Sequence, residues 1–115
     1  MLTNIIDFYG AALSVLNQRA TLIADNIANA DTPNYKATDV SFDDALRNQL
    51  GVTSADAGPL YRQNGVVGLN GNDVSLDSER LEATENGERM EATVSFMRQS
   101  TSDLITAFRP NPSGA

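Results

Sequence analysis

The chain has 115 residues with no cysteine and no histidine, and 15 acidic against 8 basic side chains give it a net charge of −7. Those counts remove disulfides, thiolate metal sites, the commonest general base and any nucleophile–histidine pair, and they argue against binding a nucleic-acid backbone. The length admits one modest domain or two long helices with a connection, and neither an enzyme, a cofactor nor a small-molecule substrate is expected.

The first thirty residues carry an apolar seam. Leu2, Ile6, Tyr9, Leu13, Leu16, Ala20, Ile23, Ile27 and Ala30 are separated by alternating gaps of 4 and 3, which predicts one long amphipathic helix. Ile5, Phe8, Ala12 and Val15 lie off that seam, and the last three form a second stripe. That stripe is either a wide core-facing surface or a second face for another helix. Only Asp7, Arg19 and Asp25 are charged here, so more of this helix should be covered than of a solvated one. Asp7 and Arg19 also interrupt the segment, so neither a cleavable signal peptide nor a membrane span is expected.

The helix should stop within "ADNIANADTPNYK", Ala24 to Lys36. Pro33 fixes its own φ and pushes Thr32 out of the helical region, and Asn34 tolerates a turn. Asn26 and Asn29 flank Ile27 and are placed off the seam, where their amides can bond neighbouring backbones or subunits.

Beyond the stop, Phe42, Ala45, Leu46 and Leu50 predict a short helix over 41–50. The following stretch is rich in Gly, Asn, Asp and Ser, and Asn64-Gly65 between "LYRQ" and "VVGL" is a hairpin signal. A hairpin without a partner sheet is marginal, so a loop ordered by a partner is the alternative. Asn70-Gly71-Asn72-Asp73 lacks the alternating acidic pattern of a calcium loop and reads as a turn. The adjacent Asp43 and Asp44 do not face each other on a helix and read as solvated surface.

A second seam predicts a helix over 75–109: Leu76, Ala83, Met90, Val94, Met97, Thr101, Leu104 and Phe108, with Arg80 and Gly87 in the two remaining slots. Ser75 is the candidate N-cap, and Asp77 and Glu79 suit the first turn. Phe96 and Ile105 lie off this seam, Asn86-Gly87 is a candidate kink, and Pro110 and Pro112 end the helix before a tail over 110–115. Asp73 to Glu91 holds seven acids and two arginines. The plain reading is a solvated face, and the alternative is a basic partner.

The fold expected is mainly α. Two long terminal helices, residues 1–31 and 75–109, form an antiparallel, coiled-coil-like core around an irregular connection over 32–74. Two helices bury little apolar surface, and two apolar faces used by related chains make heterologous contacts that propagate as a helical assembly.

"ADNIANADTPNYKATDVSF" is similar to the motif A-x-N-I-A-N-x-x-T-P-G-Y-K of the flagellar rod and hook proteins, through Asn26, Ile27, Ala28, Asn29, Thr32, Pro33, Tyr35 and Lys36. Asn34 stands where that motif has glycine. The chain most resembles the proximal rod members of the family, and the resemblance covers most of its length except 51–72. It implies a structural subunit of the bacterial flagellar basal body, lying in the periplasmic rod. Export would follow the flagellar type III route without a cleaved signal. Assembly would run through Leu2, Ile6, Tyr9, Leu13, Leu16, Ile23 and Ile27 on the first helix and Met90, Val94, Met97, Leu104 and Phe108 on the second. The partners implied are other rod proteins, the rod-base adaptor, the export gate and further copies of the chain. An export-gate pattern, Phe-x-x-x-apolar, could be Phe8 to Ala12, although a phenylalanine on a core face is the plainer reading. The alternative function is a soluble coiled-coil adaptor or secretion chaperone that does not polymerise.

Overall fold

The computed structural model describes residues 2–52, 60–61 and 67–109. Helix α1 spans Leu2–Ala28, strand β1 Thr38–Asp39, helix α2 Phe42–Gln49, strand β2 Leu60–Tyr61 and helix α3 Leu76–Phe108. α1 and α3 lie antiparallel, Asn26 beside Glu79 at one end and Ile5 and Ile6 beside Leu104 at the other. The mainly α hairpin expected from the two seams is therefore the architecture. Its radius of gyration is 19.2 Å, against about 13 Å for a compact chain of this length, and its extents are 73 × 30 × 18 Å.

α1 stops at Ala28 because the backbone tightens. Asn29 still donates its N–H to Asp25 O (3.0 Å), but Ala30 and Thr32 donate only three residues back, to Ile27 and Asn29. Pro33 follows, and Asn34 takes φ +62°, the left-handed angle that its side chain tolerates and that glycine adopts freely. Ser41 caps α2, accepting from Asp44 N–H. At the other end of α2, Gly51 at φ +73° donates to Asn48 O and Val52 N–H reaches back to Arg47 O at 2.9 Å, a glycine-dependent helix stop. Ser75 caps α3, accepting from Ser78 N–H at 3.3 Å, and α3 runs unbroken through Gly87 to a C-cap at Arg109.

The central segment departs from a simple hairpin. Tyr61 and Leu60 pair antiparallel with Thr38 and Asp39, so strand β2 returns to the segment that follows α1. The Asn64-Gly65 turn and the tail from Pro110 lie outside the described residues.

The buried apolar core is small: Ala11, Ala12, Val15, Leu16 and Ile23 on α1, with Ala37, Val40 and Ala45 beyond it. Two expectations about register need correcting. On α1 the buried line passes through Ala12, Val15, Arg19, Ile23 and Asn26, which makes Ala12 and Val15 core residues and leaves Ile6 and Ile27 about 40 % exposed. On the first half of α3 the buried positions are Glu79 and Asn86, not Arg80 and Gly87, and Leu76 and Ala83 are exposed, as is Phe108 at its far end. Both helices are rolled toward a polar line because its groups find partners across the interface.

Candidate functional site

Five buried polar side chains among the described residues, Arg19, Asn26, Asn72, Glu79 and Asn86, tie the closed end of the hairpin together. Asn26 sits at the end of α1, where the run to Ala28 keeps it on the face turned to α3, and it is fully buried. Its Nδ2 donates to Thr38 O (2.8 Å) while Thr38 N–H donates to its Oδ1 (3.0 Å), so the amide imitates a strand edge for β1. Tyr35 Oη also donates to Oδ1 (3.1 Å), and Nδ2 reaches Glu79 Oε2 (3.2 Å) from a carboxylate that is itself fully buried. An amide suits this position because it offers both a donor and an acceptor at one distance from the backbone.

Arg19 joins three elements. Nε and Nη2 donate to the two carboxylate oxygens of Asp39 at 3.0 and 3.1 Å, and Nη2 reaches Glu82 Oε2 on α3 at 2.5 Å. The fork places a charge 9 % exposed between two carboxylates. Its hydrogen bond to Asp39 raises the guanidinium pKa above an arginine's ordinary value. Burial opposes the shift, and the nearby charges of Asp39 and Glu82 reinforce it. A raised pKa in a cation means this stabilisation is complete below the ordinary value and is lost only at extreme alkaline pH, so Arg19 does not titrate under physiological conditions.

Asn72 closes the turn that follows α1. Its Nδ2 donates to Asn29 O (2.8 Å) and Thr32 O (2.7 Å), carbonyls that otherwise accept only the three-residue bonds from Thr32 N–H and Tyr35 N–H, and Val74 N–H donates to its Oδ1 (2.8 Å). The strand-like run continues with Asn34 N–H to Asn70 O (2.9 Å), Asp73 N–H to Tyr35 O (3.2 Å) and Ala37 N–H to Asp73 Oδ1 (2.6 Å). Gly71 lies against Asn34 at φ +80°, and a Cβ there would overlap Asn34 Oδ1. Asn70-Gly71-Asn72-Asp73 is thus a turn, but one that clasps the end of α1.

Asn86, 2 % exposed, donates Nδ2 to Leu16 O at 3.0 Å, and its Oδ1 has no hydrogen-bond partner among the described residues. That bond fixes the axial match of α3 to α1.

The residues singled out in the sequence divide between this junction and the surface. Asn26, Asn29, Thr32 and Tyr35 meet in it, whereas Ile27, Ala28, Pro33 and Lys36 are exposed around it. Asn26 is therefore a buried centre rather than a residue off the packing face. Of the seam, Leu16 and Ile23 are buried; Tyr9, Leu13, Met90, Val94, Met97 and Leu104 are half-buried; Ile6, Ile27 and Phe108 are exposed. Leu2 is helical, and its side chain lies outside the described residues. Phe8, 44 % exposed, meets Tyr9 edge to face at a centroid distance of 5.8 Å, so it is not a core residue, whereas Ala12 is buried. The sequence assigns Arg19, Asn72, Glu79 and Asn86 other roles, as an interruption, a turn, a first-turn acid and a kink, and does not single out Asp39 or Glu82. The available signal was Arg19, the one charge between Asp7 and Asp25 in a helix otherwise free of charge there.

Comparison with known proteins matches this same region. The model of the family described as "Flagella basal body rod protein" matches residues 6–36, which hold Arg19, Asn26, Asn29, Thr32 and Tyr35. Flagellar basal body rod protein FlgB of Proteus mirabilis (strain HI4320) is 30 % identical, the match covering 94 % of this chain and 96 % of the relative. FlgB of Aeromonas hydrophila is 31 % identical over 85 % of this chain and 87 % of the relative, and FlgB of Salmonella typhimurium is 31 % identical over 69 % and 74 %. Matches of that extent, reaching across both helices and the polar junction between them, show that the chain belongs to the flagellar basal body rod protein family.

Proposed function

We infer that this chain is a structural subunit of the proximal rod of the flagellar basal body, assembled through its two terminal helices with other rod components. The observation that carries the reading is the surface left by the fold. Ile5, Ile6, Phe8 and Ile27 on α1 and Leu76, Leu81, Phe96, Ile105 and Phe108 on α3 are each at least 37 % exposed, while half of the eight buried apolar residues among those described are alanine. A hairpin with so much uncovered apolar surface and so small a core gains by packing against other helices. No helix among the described residues is long and apolar enough to cross a membrane. A location in the periplasmic rod fits that, and family relatives named as basal body rod proteins support it.

The finer partners follow from the same reading. The rod-base adaptor and the other rod proteins cover the helix faces. The flagellar type III gate passes the chain, and Phe8, held at the surface four residues before buried Ala12, is the residue for that gate to recognise.

The test separates folding from assembly. Ile23 is 2 % exposed and its replacement by Asp damages the fold, but Ile27 is 40 % exposed, so Ile27→Asp changes the outer face alone. In a flagellated host that depends on this chain, Ile27→Asp is expected to leave the purified chain as stable as its parent and to abolish its incorporation into basal bodies and swimming. Normal incorporation and motility would overturn the reading.

A further inference from the structure

Helix α2 is held differently from the elements around it. Strand β1, which leads into it, is fixed by the bonds of the Asn26 amide to Thr38 and by the Arg19 fork on Asp39. Those anchors end before α2 begins. Among the described residues no side chain of α2 makes a hydrogen bond or ion pair with α1 or α3, and its charged residues Asp43, Asp44 and Arg47 are exposed. Of Phe42, Ala45, Leu46 and Leu50, the apolar residues that predict this helix, Ala45 alone is buried. Eight residues are too few for a helix that stands by its own propensity, so the seat on α1 keeps α2 formed.

That seat is narrow. α2 runs antiparallel to α1, its start beside Leu16 and its end beside Phe8 and Ala11. No Cα of α2 comes within 8 Å of one in α3. Instead, a depression of about 550 Å³ separates Phe42 and Asp43 from Arg89 and Thr93, and a second, of about 770 Å³, lies between Gln49 and Leu50 and the first turns of α1. Val15, 1 % exposed, stands about 40° around α1 from Ala11 and about 100° from Leu16, on the side turned to α2. Ile23, 2 % exposed, stands within about 20° of Leu16, whose carbonyl Asn86 of α3 holds. One buried side chain therefore lies under α2 and the other under α3.

We propose that α2 is a strap that lifts from α1 as a unit while β1 and the polar junction stay closed. Seated, it withholds the side of α1 that carries Ala11 and Val15; lifted, it bares that side. The segment has a hinge at each end. Val40, before the helix, stays buried, Ser41 begins the turn into α2, and past α2 the backbone turns at Gly51 with φ +73°. Lifting breaks the small contact around Ala45 and no polar cross-link, whereas parting α1 from α3 breaks the bonds of Arg19, Asn26 and Asn86. The strap is thus the weakest unit among the helices and opens first. The second stripe of α1, to which Val15 belongs, already has a helix over it, supplied by the chain itself. This opening belongs to the single chain and stands apart from the rod reading.

Thiol labelling measures the opening on the full chain, which has no cysteine of its own. Val15→Cys and Ile23→Cys are made separately, and unchanged helicity by circular dichroism confirms that each folds. With dithionitrobenzoate, Val15→Cys is expected to react at least about a hundredfold faster than Ile23→Cys, because the first needs only the strap to lift and the second needs the long helices to part. Two further substitutions separate the openings. Ala45→Gly weakens α2 and should speed the labelling of Val15→Cys about fivefold. Asn72→Ala loosens the junction and should speed Ile23→Cys while leaving Val15→Cys unchanged. Hydrogen exchange reads the strap in the unsubstituted chain: the amides of residues 45–50, among them Ala45 N–H on Ser41 O and Leu50 N–H on Leu46 O, should exchange at rates that do not depend on urea below the unfolding transition. Equal labelling at the two positions, a Val15→Cys rate that follows Asn72→Ala instead of Ala45→Gly, or α2 amides that exchange only on global unfolding would each overturn the strap.

Discussion

Asn26 shows how one side chain organises the end of a helix. Its amide serves as the strand neighbour of Thr38 on the side that Tyr61 does not occupy, and it also meets Tyr35 and Glu79. Asn26→Asp removes the donor to Thr38 O and sets a second carboxylate beside Glu79. The expected loss is about 3 kcal/mol in urea unfolding, the scale of breaking a buried, charge-linked hydrogen-bond set. Asn72→Ala leaves Asn29 O, Thr32 O and Val74 N–H without this partner, and a loss of about 2 kcal/mol is expected in the same measurement. Gly71→Ala tests the clasp from the backbone side, since φ +80° and the overlap with Asn34 oppose any side chain. It should lower the unfolding free energy by more than about 1 kcal/mol, whereas Asn34→Gly at φ +62° should change it by less than that. The turn at Asn34 was legible in the sequence because only glycine and asparagine suit that angle well. The burial of Asn26 was not. A buried asparagine is recognisable only once its partners, which lie up to 53 positions away, are in place.

The two long helices were readable to within a few residues from apolar spacing, from Ser75 as a cap and from the prolines at 33 and 110. Their rotation was not readable. An apolar seam states which residues prefer cover, and Arg19, Glu79 and Asn86 turn inward only because Asp39, Glu82, Asn26 and Leu16 O meet them. Local spacing carries no trace of such pairings, and the central segment was opaque for the same reason, since β2 pairs with β1 and Asn72 with the end of α1. Asn86 illustrates the trade within α3. It bonds Leu16 O but strands its own Oδ1, so Asn86→Leu should leave the unfolding midpoint unchanged or raise it. The same substitution should loosen the axial match of α3 to α1, because apolar residues at heptad spacing permit slipped pairings that a single buried amide forbids. Spin-label distances between the helices would then broaden relative to the parent chain.

The molecule as a whole is a long hairpin fastened at one end. Polar cross-links hold residues 16–39 to 72–86, while at the other end Ile5, Ile6, Phe8, Ile105 and Phe108 are exposed. A subunit built this way keeps its junction and the direction of its central segment fixed within one chain, and it leaves its open end and outer faces for neighbours. The fastening is the central claim, and hydrogen exchange resolved along the isolated chain tests it most directly. Slowest exchange is expected at amides of residues 15–27 and 77–90, with exchange at 4–9 and 99–108 faster by orders of magnitude. Uniform protection along both helices, or strongest protection at the open end, would contradict it.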